Sequence, residues 1–295
     1  MAIMLEVQCV LFSIPMLLHL TAILVIVLTQ NGMRENQRYF FINLSASEAL
    51  ICFIGIIKRI CKIYALKTAG TYVRFVQAGV ATFAYYFIMM YLTLDRFCEV
   101  FLNIKYPTYF PPSRTLIVIG IIWSVSVIFA ATLCGLNTYN PDNPQQILTY
   151  FYFVFGVLCI VVSLITYSYI LRKIYVNKTL EANQVSSISS SHQEQVKQWK
   201  KLIQSMYLPV LLLISFFIFV IIPEITYFIY DLHQLEMSDA LSTVLTTSYF
   251  IAYTSDVFIY VLGSKHIRKT LLRKLKVRNN KIGDTSTTTP SYITP

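Results

Sequence analysis

Four carboxylates and one arginine stand inside stretches of sequence that are otherwise apolar: Glu48, Asp95, Glu224 and Asp256, with Arg96 directly after Asp95. An ionisable side chain in hydrocarbon costs about 2.5–3.5 kcal/mol on insertion scales, so each marks a candidate functional group. Arg96 is permanently charged and can grip a carboxylate through two parallel N–H groups, and Asp95 is its adjacent partner. A second set of charges, Lys58, Arg59, Lys62, Lys67 and Arg74, falls at the ends of two apolar stretches. Lys58 and Lys62 are four residues apart and share a helix face. Two readings fit these cations: long side chains reaching to lipid headgroups, or a charged mouth to a ligand pocket. The four His are scattered, and neither a Ser–His pair nor a cluster with metal-ligand spacing occurs. Enzymatic chemistry is therefore not expected.

The elements that carry these groups follow from composition. The chain has 295 residues, 56% hydrophobic and 13% charged, with a mean hydropathy of +0.60. Soluble domains carry about 25% charged residues, and disordered chains lack apolar and aromatic side chains, so both classes are excluded. A membrane helix needs ~20 predominantly apolar residues. Seven stretches qualify, at about 5–29, 39–63, 72–97, 114–136, 147–171, 205–230 and 239–262. None alternates apolar and polar residues as barrel strands do. The sequence predicts an all-α integral membrane protein, a seven-transmembrane helix bundle over 1–263.

Orientation follows from the basic residues. Most of the 24 Lys and Arg lie in the turns after the first and third stretches, in the connection after the fifth, and in the tail. The loops at 137–146 and 231–238 hold none. The basic side is expected to be cytoplasmic and the N-terminus extracellular, in the plasma membrane. The first stretch begins too close to Met1, and is too long, for a cleavable signal region. The net charge of +10 then belongs to the membrane surface, and nucleic acid is not an expected partner. No internal repeat is visible, which weighs against an inverted-repeat transporter.

Several runs, taken in order, carry a resemblance. Asn43-Leu44-Ser45-Ala46-Ser47-Glu48 is similar to the NLxxAD motif of rhodopsin-like (class A) G-protein-coupled receptors, and Asp95-Arg96-Phe97 to their DRY motif. Trp123 matches the lone tryptophan of their fourth helix. Phe217 and Pro223 match the outer members of FxxCWxP, and Asp256-Val257-Phe258-Ile259-Tyr260 resembles NPxxY. The resemblance implies a receptor in which Asp95 holds Arg96 at rest. On activation Arg96 turns toward Tyr167 and Tyr260 and a heterotrimeric G protein. It also implies arrestin and a receptor kinase as further partners, and an extracellular small-molecule or peptide ligand.

The departures shape the expected chemistry. Where the family places an Asp and an Asn around a sodium ion, this chain has Glu48 and Asp256. Two carboxylates close together in low dielectric cannot easily both ionise; either a sodium ion sits between them or they share a proton, a packing pair being the bland alternative. Apart from that ion no cofactor is expected. Val257 replaces the family's proline, so the seventh helix should run unbroken, and Ile221 replaces the tryptophan toggle. No Cys lies between Lys62 and Phe97, so the family's outer disulfide cannot form; a Cys61–Cys134 bond is conceivable. Ala78 stands where amine receptors carry an acid, and 239–262 has no Lys for retinal, so neither ligand is expected. The remaining pocket candidates are Lys58, Arg59, Arg74, Glu224 and Tyr227. Lys62 joins them at the rim, with Tyr85, Tyr86 and Tyr249 as aromatic walls. A small carboxylate or other anion suits these cations, or Glu224 simply neutralises one of them.

Past the last span, Ile267, Leu271, Leu272 and Leu275 share one face of a basic stretch. That pattern predicts an amphipathic helix over 264–278 lying on the lipid bilayer, before a Ser/Thr-rich tail at 279–295. The competing class is a multi-span transporter or channel, which would need charges lining a continuous path.

Overall fold

The computed structural model describes residues 2–29, 34–102, 105–139, 142–183, 207–233, 235, 237–263 and 267–268. Among the described residues every regular element is a helix and no strand occurs. Seven helices are long and apolar enough to cross a membrane: Leu5–Leu28, Glu35–Ile63, Lys67–Leu102, Pro112–Tyr139, Gln146–Lys173, Tyr207–Tyr230 and Asp239–Val261. They form a seven-transmembrane bundle and are numbered below as spans one to seven. The predicted helix over 264–278 and the tail lie outside the described residues, apart from Ile267 and Arg268.

Polarity is inverted relative to a water-soluble protein. Glu48, Asp95, Arg96 and Asp256 are fully buried, while Val10, Leu17 and Leu24 of span one are exposed. Those three recur every seven residues, one lipid-facing stripe, and Phe12, His19 and Ile26 form the buried stripe opposite. Lipid is as apolar as Leu, so a membrane helix gains most by turning its small and polar side chains inward. The second and third spans are the most enclosed, with 61% and 56% of their apolar windows buried against 28% for spans one, four and five. Most of the ionisable groups sit on these two central helices for that reason.

Two spans depart from regular α-helix. Span three widens into a π turn at Gln77–Thr82, where Gly79 meets span four; a Cβ at Gly79 would fall 2.5 Å from the Ala130 Cα. Span six has a π turn at Phe217–Ile221, ending just before Pro223. A proline has no N–H for the carbonyl four residues back and its ring displaces that carbonyl, which a widened turn accommodates. Span seven is uninterrupted α-helix across Asp239–Gly263, as Val257 in place of proline predicts.

The fifth helix extends over Asp142–Asn183, well past the predicted limit at 171. Hydropathy marks where lipid ends, whereas the helix continues through charged residues that favour it and meets no Gly or Pro. Spans two and three join by a tight Schellman turn, with Leu66 N–H on Cys61 O at 2.8 Å and Ala65 N–H on Lys62 O at 3.3 Å. Ala65 takes the left-handed conformation, φ 55°, that this motif requires. All six cysteines are free thiols, so the Cys61–Cys134 bond is absent.

Candidate functional site

At one end of span three, Asp95, Arg96 and Glu99 occupy a single buried turn. Arg96 donates from Nη2 to Asp95 Oδ2 and from Nη1 to Glu99 Oε2. Arg34, at the entrance to span two, pairs with the other Glu99 oxygen. The Tyr106 hydroxyl donates to Asp95 Oδ1 and accepts from Asn36 Nδ2 at 3.0 Å, which also donates to Phe110 O at 3.0 Å. Two arginines and two carboxylates thus alternate in a neutral chain, with Arg96 and both acids buried and Arg34 exposed at its outer end, and the buried charges are paired as buried charge demands. Burial, then the charge of Asp95, pushes the Tyr106 hydroxyl well above the usual tyrosine range, so it stays protonated and remains a donor. Burial lowers the Arg34 guanidinium from its ordinary value, with the Arg96 charge beside it adding to the effect.

Tyr167 and Tyr260, both expected near Arg96, part company. Tyr167 lies within electrostatic reach of Arg96, and its buried hydroxyl has no hydrogen-bond partner among the described residues. Tyr260 is elsewhere. Its hydroxyl accepts from Ser45 Oγ at 2.6 Å and lies 2.8 Å from His19 Nδ1.

That contact opens onto a second cluster at mid-bundle. His19 Nδ1 is 3.2 Å from Glu48 Oε2, and Glu48 and Asp256 lie close enough for their carboxyl groups to interact. Tyr85 donates to Asp256 Oδ2 at 3.2 Å, and Ser215, near Asp256, is 2.9 Å from Ser255. Glu48 Oε1 and Asp256 Oδ1 are buried without a hydrogen-bond donor among the described residues. Carboxylate and hydroxyl oxygens are the donors a hard cation such as sodium takes, and a pair of unmatched carboxylate oxygens equally suits one shared proton. No group of three or more His, Cys, Asp or Glu with metal-binding geometry occurs among the described residues.

Sequence reasoning missed His19, Glu99 and Arg34. The signal for His19 was available, because a histidine in the middle of a 24-residue apolar span is as anomalous as a carboxylate there. Glu99 falls one turn after Arg96, the spacing at which helical side chains meet.

Toward the opposite end a cavity of about 390 Å³ opens between spans two, three, five, six and seven, with Phe12 of span one also in its lining. Lys58, Arg59, Arg74, Glu224 and Tyr227 all line it. Tyr249 donates to Glu224 Oε1 at 2.9 Å. Arg59 donates from Nε to Gln8 Oε1 at 3.1 Å and from Nη1 to Gly55 O at 3.0 Å, and lies 3.9 Å above the Phe12 ring centroid. Lys62 is exposed and outside the lining, and Tyr86 is fully buried behind it. Tyr85 belongs to the lining and also to the mid-bundle cluster, so its ring and hydroxyl link the cavity wall to Asp256.

Motif residues meet in space as well: Trp123 Nε1 donates to Asn43 Oδ1 at 3.1 Å, joining spans four and two. The family model for the 7 transmembrane receptor (rhodopsin family) matches residues 20–258 of the chain. No curated protein matches it.

Proposed function

Since the chain belongs to the rhodopsin family of seven-transmembrane receptors, a family of multi-pass membrane receptors, we propose that it carries an extracellular signal to a heterotrimeric G protein through release of Arg96. The observation that supports this reading most is the burial of Arg96 between Asp95 and Glu99, with Arg34 closing the far side. In that state the guanidinium is fully neutralised and cannot engage another protein. Breaking both ion pairs would free it, and ligand binding at the other end supplies the free energy by favouring the open arrangement of helices.

In this reading the Arg96 end faces the cytoplasm of a plasma-membrane protein and the Lys58 end faces outward, the orientation that the distribution of Lys and Arg supports. Tyr167 is poised to receive the released Arg96, and Tyr260 becomes available only after leaving His19 and Ser45. Glu48 and Asp256 hold a proton or a sodium ion between them, which their unmatched oxygens accommodate, and that charge biases the same equilibrium. Arrestin and a receptor kinase would act on the cytoplasmic side, where the Ser/Thr-rich tail lies in the sequence.

Nucleotide exchange on a panel of G proteins, with the chain purified into lipid nanodiscs, tests the proposal. Arg96→Ala is expected to remove exchange and, by stripping Asp95 and Glu99 of their buried cation, to lower the melting temperature. Arg96→Lys keeps a cation there and serves as the folded control, and Glu48→Gln is expected to remove any dependence on pH or sodium. Exchange undiminished in Arg96→Ala sinks the reading. Ion flux in cells without G proteins would point instead to a transporter or channel.

A further inference from the structure

The cavity is electrically unbalanced. Three cations, Lys58, Arg59 and Arg74, line it with one carboxylate, Glu224. Arg74 lies within electrostatic reach of Glu224, and that acid also accepts from Tyr249, so it offsets one cation at most. Lys58 and Arg59 take part in none of the ion pairs found among the described residues. Lys58 instead lies within electrostatic reach of three other cations, Arg74, Arg59 and Lys62. The partners of Arg59 are a neutral amide, a backbone carbonyl and an aromatic face. These orient the guanidinium without cancelling its charge.

Such a pair of uncompensated charges in a partly enclosed, aromatic-walled cavity is costly until an anion arrives. The donors left over define that anion. With Nε and Nη1 engaged, Arg59 keeps Nη2 without a hydrogen-bond partner among the described residues, and Lys58 keeps its ammonium. Two cationic groups on two side chains match the two oxygens of one carboxylate. Tyr85, Tyr152, Tyr249 and Tyr253 line the rest of the cavity, and about 390 Å³ falls in the range of small-ligand sites.

We propose that the cavity binds a small monocarboxylate with an aromatic or apolar body, its carboxylate between Lys58 and Arg59 and its body among these tyrosines. This names the ligand class for the receptor reading above and rests on it only for the word ligand, since binding itself needs no G protein.

The test uses three matched probes on the full chain in nanodiscs, read by titration calorimetry: 3-phenylpropionate, its neutral amide, and 2-phenylethylamine. The carboxylate is expected to bind saturably, and the amide and amine at least tenfold more weakly. Lys58→Met and Arg59→Leu should each weaken the carboxylate at least tenfold and leave the amide unchanged, with Lys58→Arg restoring binding. The proposal is overturned if the amide or amine binds as tightly as the carboxylate, if phenyl phosphate binds more tightly, or if none binds at millimolar concentration. The two readings fail separately. Carboxylate binding without nucleotide exchange removes G-protein coupling and keeps the ligand class, and Arg96-dependent exchange without binding does the reverse.

Discussion

Glu99 decides how firmly Arg96 is held. Asp95 alone would leave half of the guanidinium fork without an anion, and Glu99 supplies the second while also taking Arg34. Replacing it by Gln leaves the buried Arg96 with Asp95 alone and the exposed Arg34 without its carboxylate, and breaking a buried pair in this way costs up to about 3–5 kcal/mol. Glu99→Gln is therefore expected to raise ligand-independent nucleotide exchange several-fold and to lower the melting temperature. Unchanged basal exchange would mean that Asp95 suffices. At this scale the sequence was legible wherever one residue type betrayed itself. Glu48, Asp95 and Asp256 stood out as carboxylates in hydrocarbon, and the structure buries all three. His19, equally out of place in a 24-residue apolar span, names no partner in the sequence. Arg34 lay hidden because an arginine at a helix entrance looks like an ordinary surface residue until its partner is known.

The seven helices were legible because a long apolar run has few alternatives in lipid. Their irregularities were not. A π turn needs one extra residue in the hydrogen-bonded ring, and nothing in the composition of Gln77–Thr82 marks it. Gly79 explains how that turn is used, for it lets span three approach the backbone of span four at Ala130. Gly79→Ala must push the two helices apart, an overpacking that costs about 1–3 kcal/mol. A fall of several degrees in melting temperature is expected, with carboxylate binding weakened as well, because Ala78 and Thr82 of the same turn line the cavity. Retention of both values would show that the turn relaxes freely.

Across the whole molecule, three polar assemblies are stacked through an apolar bundle: the cavity, the mid-bundle acids and the arginine chain. Tyr85 is shared by the first two, which makes it the natural carrier of coupling between them. Tyr85→Phe keeps the aromatic wall and deletes only the donor to Asp256. Binding of 3-phenylpropionate is expected to stay within about threefold of wild type, while the ligand's effect on nucleotide exchange is lost; coupling energies of this kind run to about 1–3 kcal/mol. Full retention of the ligand's effect would route the coupling elsewhere. The order of these layers followed from the sequence, since each lies at a predictable depth along its span. That His19 and Tyr260 would meet across 241 positions of chain did not, because helix rotation about its own axis is set by packing between neighbours.

Span one is among the least enclosed helices of the bundle, yet its imidazole plugs the flank of Glu48 and occupies the hydroxyl of Tyr260. It behaves less as a lead-in than as a stopper. A shortened polypeptide starting after Leu28 would still contain every recognisable receptor motif, but its innermost acid would look straight out at the acyl chains.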